Sequence, residues 1–280
     1  MKIFQCCVFR FQDTMKKRRK RIISFFLALF ILSIFFDKSG PAVNAKEIEE
    51  TEQTEETEQT EQTEPTEQTE LIEQPQLQLY AMSAVLIDAA NDRILYQKDA
   101  FKVMPMASTT KIMTAILAFK YGNMDDVVTI PAEALNQESG STEIGFQEGD
   151  QVTLDELLHG LLIYSGNDAA VAIAQHIGGS VDQFVEMMNQ EALELGATNT
   201  HFANPSGLQD ENHYTTVYDI YLMLQEAMTY PHFLEIAQLS SYNLTATRGD
   251  QEVTFHLDST DQYLTRQVTA PKNVTVLGGK

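Results

Sequence analysis

Two kinds of hydrophobic pattern alternate with polar turns between residue 78 and the end of the chain. Short apolar runs predict strands at 81–88, 93–96, 127–130, 241–247, 252–257 and 274–277. Longer segments with an apolar face predict helices at 108–121, 154–163, 168–177, 181–195 and 216–228. Strands followed by a block of helices and then more strands are typical of an α+β fold, in which an antiparallel sheet packs against a helical cluster.

The helix predicted at 181–195 has the clearest boundaries. Ser180 precedes it and Gln183 follows three residues later, the spacing of a capping box. Gly196 supplies the stop signal at the other end. In the helix predicted at 216–228 the end is less sharply defined, and we expect Pro231 to break it.

The first 45 residues have the order of features found in secretory signal peptides. A basic run at 16–21 precedes an apolar stretch at 22–36, and small residues follow. A membrane-spanning helix needs about 20 apolar residues, so this stretch is short for one. We predict a signal peptide over residues 1–45, starting at Met1 or Met15, and hence an exported protein. An uncleaved N-terminal membrane anchor is the alternative.

Residues 47–70 repeat the tripeptide Thr-Glu-Gln and contain few apolar side chains. The like charges of this segment repel one another, and the segment cannot form a core. We therefore predict an acidic, disordered linker over residues 46–77 and assign the folded domain to residues 78–280.

The charge and the cysteines of the chain exclude several classes of function. The formal net charge is −21, and residues 76–280 contain 26 acidic but only 9 basic side chains. A surface of this charge has no general means of neutralising phosphate groups, so we expect no nucleic-acid partner. The two cysteines are Cys6 and Cys7, which excludes a disulfide scaffold, a thiolate zinc site and a cysteine nucleophile from the domain.

The histidines do not form a recognisable metal or catalytic motif. The sequence contains no H-E-x-x-H pattern and no G-x-S-x-G nucleophile elbow. We expect all six to be surface or hydrogen-bonded structural side chains: His159, His176, His201, His213, His232 and His256.

A hydroxyl and an amine stand three residues apart at the start of the helix predicted over 108–121. At this spacing Ser108 and Lys111 share one face of the helix, so their side chains can meet. Their neighbours are apolar, so an amine held there loses solvation, its pKa falls, and its neutral form can take the proton of Ser108. The helix N-terminus also offers backbone N–H groups to a developing oxyanion. Since S-x-x-K is a common pattern, the alternative is that Ser108 is an N-cap.

Two further elements are compatible with this chemistry. Between two predicted helices, the Ser165 hydroxyl can relay a proton to a leaving amine, and the Asn167 amide can hold a substrate carbonyl or orient Lys111. At the chain end, the Lys280 cation can neutralise a substrate carboxylate. Taken singly, the first element is also an ordinary interhelix loop and the second an ordinary terminal lysine.

Together these elements resemble the serine D-alanyl-D-alanine carboxypeptidases, the low-molecular-mass penicillin-binding proteins, which have the motifs S-x-x-K, S-x-N and K-T-G. The resemblance covers roughly residues 80–280 and extends beyond the motifs. The matching segments are 106–114, 164–170, 184–197, 200–208 and 213–219. The later segments distinguish the carboxypeptidases from class A β-lactamases.

The resemblance implies a β-lactamase/DD-peptidase-like transpeptidase fold for residues 78–280, the catalytic domain. It also implies a reaction: the terminal D-alanine of the peptidoglycan stem pentapeptide leaves through an acyl-enzyme, and β-lactam antibiotics acylate the same serine as slow substrates. No metal or cofactor is implied. The implied site residues are the nucleophile Ser108, the general base Lys111, the proton relay Ser165, the substrate-amide contact Asn167 and the carboxylate-binding Lys280.

Two features depart from the family's pattern. The Asn-x-Asn that often precedes the third motif is replaced by Asp-Ser-Thr-Asp at 258–261. The chain also stops at Lys280, before the rest of K-T-G, the strands that follow it, a second oxyanion donor, the C-terminal β domain and an amphipathic membrane helix. We therefore expect a fold that is incomplete at its C-terminus and a chain that, as written, forms no competent site.

Several alternatives stay open at this stage. A DD-endopeptidase on the same fold is one, and a β-lactamase is another, although no clear deacylating-glutamate motif lies between Ser165 and Lys280. A catalytically inactive wall-binding fragment on an acidic linker is the third. In each case we expect an exported protein, either secreted or associated with the wall or membrane, the membrane contact being made through the N-terminal segment or a missing C-terminal helix.

Overall fold

A computed structural model describes residue 77 and residues 79–269 of the chain. The signal peptide, nearly all of the linker, the strand predicted at 274–277 and Lys280 therefore lie outside the described residues. Within the described part, six α-helices pack with two antiparallel sheets, as expected for an α+β fold.

The first sheet is a hairpin of β1 (Ala84–Asp88) and β2 (Arg93–Lys98). It was predicted at this place, but β1 begins at Ala84 rather than at residue 81. Two of the three residues before it are held by side-chain hydrogen bonds instead of the strand ladder: the Lys98 amine donates to the carbonyl of Ala81 (2.7 Å), and the Ser83 hydroxyl donates to the carbonyl of Lys98 (3.2 Å).

The second sheet has four strands in the order β3 (Val127–Thr129), β4 (Gln151–Thr153), β5 (Ser241–Arg248) and β6 (Gln251–Asp258). The β5–β6 hairpin pairs along its whole length and confirms the two strands predicted there. Strand β4 was not predicted, because only one of its three residues, Val152, is apolar and no apolar run is visible there.

The helical cluster follows the predicted order. Its members are α1 (Lys111–Tyr121), α2 (Leu154–His159), α3 (Asn167–Gly178), α4 (Val181–Glu194), α5 (Val217–Ala227) and α6 (Pro231–Ala237). Helix α6 corrects the sequence prediction. Pro231 does follow the end of α5, but it is also the first residue of a new helix, a position that needs no backbone N–H and suits the fixed φ of proline.

Helix α1 lies at the centre of the domain. Every side chain from Lys111 to Ala118 is buried, and the helix contacts both α3 and α5. A helix that is buried on all sides is normally apolar all round. Lys111 at its first residue and Thr114 are the polar exceptions among these buried side chains, and Lys111 is the ionisable one. No helix in the described part of the chain has the length and apolar character needed to cross a membrane.

Three helices begin at hydroxyl side chains that accept a hydrogen bond from the backbone of the first turn. Ser180 accepts from the N–H of Gln183 (3.2 Å), which confirms the predicted N-cap of α4. Thr153 caps α2 in the same way, and Thr216 caps α5 by accepting from Asp219 (3.0 Å). Thr216 is also buried, so no water can replace its hydroxyl.

We predict that Thr216→Ala lowers the free energy of unfolding by about 1 kcal/mol, the usual effect of losing an N-cap hydroxyl. Thr216→Ser keeps the hydroxyl and serves as the matched control. Urea unfolding followed by circular dichroism measures both. Equal midpoints for the alanine and serine variants would contradict the prediction.

Candidate active site

Ser108 lies in a 3-10 turn, Ala107–Thr110, that precedes α1. The sequence predicted that the α-helix itself would start at Ser108, and the difference has a local cause. The hydroxyls of Thr109 and Thr110 donate to the carbonyls of Met106 (2.6 Å) and Ala107 (2.7 Å), three residues back, and so tighten the turn. Ser108 is neither the N-cap of this turn nor that of α1. The alternative prediction, that Ser108 serves only as a helix N-cap, is therefore wrong.

The backbone at Ala107, the residue directly before Ser108, is strained. Its φ of 48° lies in the left-handed region, which a residue with a Cβ rarely adopts. Ser108 directly follows and is only partly buried, so its hydroxyl is within reach of a ligand. Strain of this kind is common where a nucleophile is held for attack.

Lys111 is fully buried, and its amine has two partners. Nζ donates to Oδ1 of Asn167 (2.7 Å) and to the carbonyl of Ser206 (2.6 Å). Burial lowers the pKa of Lys111 to about 7, and the nearby Asp168 carboxylate opposes part of this shift. At neutral pH a large share of the molecules therefore has a neutral amine at this position.

A neutral Lys111 suits the task of a base. The neutral amine has two N–H groups and one lone pair. Because both N–H groups have acceptors in Asn167 and Ser206, the lone pair is left for a third group. A charged amine would instead carry a third N–H and could not accept a proton.

Ser165 occupies a strained turn between α2 and α3. The segment Gly160–Tyr164 continues α2 as a π-helical turn, and Ser165 ends it in the left-handed region with φ 72°. Its Oγ is buried and has no hydrogen-bond partner among the described residues. A buried unpaired hydroxyl costs about 1–3 kcal/mol and calls for a functional reason.

A neighbouring loop holds the Ser165–Asn167 segment in place. The backbone N–H of Asn167 donates to the carbonyl of Thr142 (2.8 Å), and the Asp168 carboxylate accepts from the N–H groups of Ile144 (3.1 Å) and Gly145 (3.0 Å). Burial raises the pKa of Asp168, while these backbone donors oppose the shift. The loop is thus tied to the residue that follows Asn167.

A second loop reaches the site from the other side. The side-chain oxygen of Asn204 accepts from three successive backbone N–H groups, those of Ser206 (3.2 Å), Gly207 (2.7 Å) and Leu208 (3.1 Å). This fold presents the Ser206 carbonyl to Lys111. It also places Gly207, with φ 93°, against Ala107: a Cβ at Gly207 would lie 2.1 Å from the Ala107 carbonyl oxygen.

The structure therefore unites part of the predicted site. Lys111 and Asn167 are hydrogen-bonded, Ser108 lies in the turn that leads into Lys111, and Ser165 is two residues before Asn167. Lys280 lies outside the described residues.

The sequence pattern indicated no role for the Ser206 carbonyl or for the Asp168 carboxylate. The turn-forming composition Asn-Pro-Ser-Gly at 204–207 was the available signal for the first. For the second, the signal was an acidic residue at the start of α3. The segment 258–261 that departs from the family pattern lies beside the second motif, since the N–H of Thr260 donates to the carbonyl of Ile163 (3.2 Å). Across the described residues, no cluster of His, Cys, Asp or Glu is arranged to hold a metal ion.

The fold and the site define a class of proteins, the DD-peptidases and penicillin-binding proteins. The chain is similar in structure to the Streptomyces K15 DD-transpeptidase, with a TM-score of 0.65 and 28% identity over 68% of this chain and 78% of that one. It is also similar to the D-alanyl-D-alanine carboxypeptidase of Mycobacterium tuberculosis, with a TM-score of 0.59 and 31% identity over 66% and 69% of the two chains.

The family follows from the sequence match. The chain belongs to the D-alanyl-D-alanine carboxypeptidase family, peptidase family S11, whose model matches residues 67–280. It is 42% identical over 155 residues to the D-alanyl-D-alanine carboxypeptidase DacF of Bacillus subtilis, covering 54% of this chain and 39% of that protein. It is 35% identical over 152 residues to DacD of Escherichia coli, covering 51% and 39%. The match spans well under half the length of these two relatives.

We predict that Asp168→Asn lowers the pKa of Lys111 below about 7, because it removes the negative charge that, within the described part of the chain, opposes the effect of burial. Titration of Lys111 by NMR of the labelled side-chain amine measures the shift without requiring activity. Asp182→Asn is the matched control, since Asp182 is the corresponding second residue of α4 and is exposed. An unchanged Lys111 titration in the Asp168 variant would refute the assignment.

Proposed function

We propose that the protein is a serine-type D-Ala-D-Ala carboxypeptidase that removes the terminal D-alanine from peptidoglycan stem peptides. The observation that carries the proposal is the buried amine of Lys111, with its pKa lowered to about 7, in the helical turn that follows Ser108. Membership of the carboxypeptidase family supports the same reaction.

Acylation begins with the transfer of a proton. The neutral Lys111 amine takes the proton of the Ser108 hydroxyl, and Oγ attacks the carbonyl carbon of the penultimate D-alanine. The tetrahedral intermediate places negative charge on the former carbonyl oxygen. The backbone N–H of Ser108, at the start of the turn, is our candidate donor to this oxyanion.

The C–N bond then breaks, and its nitrogen needs a proton to leave as free D-alanine. Ser165 is our candidate for relaying that proton from the protonated Lys111, since its buried Oγ has no partner among the described residues. Water afterwards attacks the ester carbonyl, gives up a proton to the same base and releases the shortened peptide. Ser108 regains its proton, so the net reaction consumes one water per bond.

Asn167 is placed to serve both the base and the substrate. Its Oδ1 accepts from Lys111, which leaves the two N–H groups of the same amide as donors for a substrate carbonyl. We assign the substrate's terminal carboxylate to Lys280, the first residue of the third motif in the resemblance. β-Lactams mimic the same peptide and are expected to acylate Ser108.

We also propose that the enzyme acts outside the cytoplasm, on the cell wall. The basic and apolar order of residues 1–45 supports export, and the acidic composition of residues 46–77 supports a linker between this segment and the catalytic domain. Membrane association through the N-terminal segment belongs to the same proposal.

We predict that Ser108→Ala abolishes covalent labelling by a fluorescent penicillin and the release of D-alanine from a stem pentapeptide, because no acyl-enzyme forms without the hydroxyl. Ser165→Ala should still be labelled, but on the order of 10²- to 10⁴-fold more slowly, the usual contribution of a positioned proton-transfer group. Both measurements use the full-length protein, with Ser241→Ala, an exposed serine at the start of β5, as control.

The same assays separate the alternatives. Cleavage of cross-linked dimers in preference to pentapeptide would identify an endopeptidase, and rapid hydrolysis of penicillin would identify a β-lactamase. Binding to wall material that survives Ser108→Ala, without any D-alanine release by the wild type, would leave only a wall-binding role.

We predict that the acylation rate rises with pH through about 7 and reaches a plateau above it, because the reactive form of Lys111 is the neutral one. The sign for stability is the same. Between pH 7 and the ordinary lysine pKa, the unfolded chain binds a proton at Lys111 that the folded chain does not, so this residue makes folding more favourable as pH rises. Stopped-flow acylation by penicillin from pH 5 to 9 tests the profile, and a rate independent of pH would contradict it.

A further inference from the structure

One buried histidine outside the residues assigned so far is connected to the nucleophile turn. His213 lies on the segment that follows the 204–208 loop and is 3% exposed. Its Nδ1 accepts from the backbone N–H of Ala203 (2.9 Å), and its Nε2 lies 2.7 Å from the hydroxyl of Thr110. Thr110 lies between Ser108 and Lys111 in the sequence and directly precedes the lysine.

The directions of these hydrogen bonds can be assigned. Since Nδ1 accepts from a backbone N–H, it carries no proton, and the neutral ring must carry its proton on Nε2. Nε2–H therefore donates to Thr110, and the Thr110 hydroxyl in turn donates to the carbonyl of Ala107 (2.7 Å). Burial lowers the pKa of His213 to about 4, against a smaller opposing effect of Asp210, so the ring is neutral near pH 7.

The chain of bonds ends at the most strained residue of the turn. The carbonyl of Ala107 belongs to a residue with φ 48°, and this residue directly precedes Ser108. Gly207 packs against the same carbonyl. Just before Ala107 in the sequence, two backbone hydrogen bonds between Met104 and Thr215 (2.8 and 2.9 Å) join the segment that leads into the nucleophile turn to the segment that contains His213. The side chain of His213 thus adds to the backbone contacts that hold the nucleophile turn in place.

We propose that His213 is a positioning residue for acylation: its Nε2–H fixes the Thr110 hydroxyl, and through it the Ala107 carbonyl and the direction of Ser108. The residue takes no part in proton transfer and does not contact the substrate. The inference rests on the proposed function of Ser108, but its structural part can be tested separately.

Two substitutions of His213 by an amide side chain each keep one of the two hydrogen bonds of the ring and remove the other. Asn places its oxygen where Nδ1 lies and keeps an acceptor for Ala203, but it is too short to reach Thr110. Gln extends its amide N–H to the position of Nε2 and keeps the bond to Thr110. If His213 only held its own loop through Ala203, His213→Asn would be the mild variant. If it positions the nucleophile turn, His213→Gln is the mild one.

The experiment measures the second-order rate constant of penicillin acylation in the full-length protein. We expect His213→Asn and Thr110→Val to slow acylation by about tenfold or more, because a misplacement of about 1 Å can cost on the order of 10²-fold. Their double variant should be no slower than either single one. His213→Gln and Thr110→Ser should retain most of the rate. So should His201→Gln, which changes an exposed histidine on the neighbouring segment that pairs with Tyr214.

The readouts distinguish positioning from mere loss of folded protein. If His213 has a positioning role, its loss lowers the acylation rate constant. The fraction of protein molecules that is labelled and the midpoint of the pH profile of acylation, near pH 7, stay as in the wild type. A wild-type rate in His213→Asn, or fewer labelled sites that react at the wild-type rate, would overturn the inference.

A second measurement does not depend on acylation. If the wild type is not acylated at all, the proposed function is refuted, but the positioning role can still be tested. The amide resonance of Ser108 in NMR spectra should shift in His213→Asn and Thr110→Val and stay in place in His213→Gln. Unshifted Ser108 amides in the first two variants would refute the positioning role on their own.

Discussion

The burial of one amine determines the organisation of this site. Lys111 stands at the first residue of a helix whose other buried side chains are apolar apart from Thr114, and two oxygen acceptors take the place of water around its amine. A charged amine is costly in such a place, so the pKa falls to about 7. The acceptors must come from distant parts of the chain, the Asn167 side chain and the Ser206 backbone, and the fold has to hold both.

Two loops meet this requirement, and each is fixed by one polar side chain. The Asp168 carboxylate holds the loop at 142–146 against the segment of Ser165 and Asn167. The Asn204 amide folds the loop that presents Ser206. Gly207 of the second loop also lies directly against the strained backbone at Ala107. The loop that supplies an acceptor to Lys111 therefore also packs against the turn that contains Ser108. A shift of this loop would disturb both.

The periodicity of the sequence predicted the helices and most strands because each of them buries a continuous apolar face. It failed where local hydrogen bonds override the pattern. The start of α1 becomes a 3-10 turn through the threonine hydroxyls, and the end of α2 becomes a π-turn before Ser165. Both failures fall on the two motifs of the candidate site, where Ala107 and Ser165 have strained backbone conformations.

The sequence by itself determined the candidate chemistry: the spacing of Ser108 and Lys111 follows from helix geometry, and the apolar residues around them predict a lowered amine pKa. Only the tertiary structure decided what completes the site. The Ser206 carbonyl and the contact of His213 with Thr110 join residues that are 95 and 103 positions apart. A backbone carbonyl has no residue type to mark it, and a buried histidine reveals its partners only after the chain has folded around it.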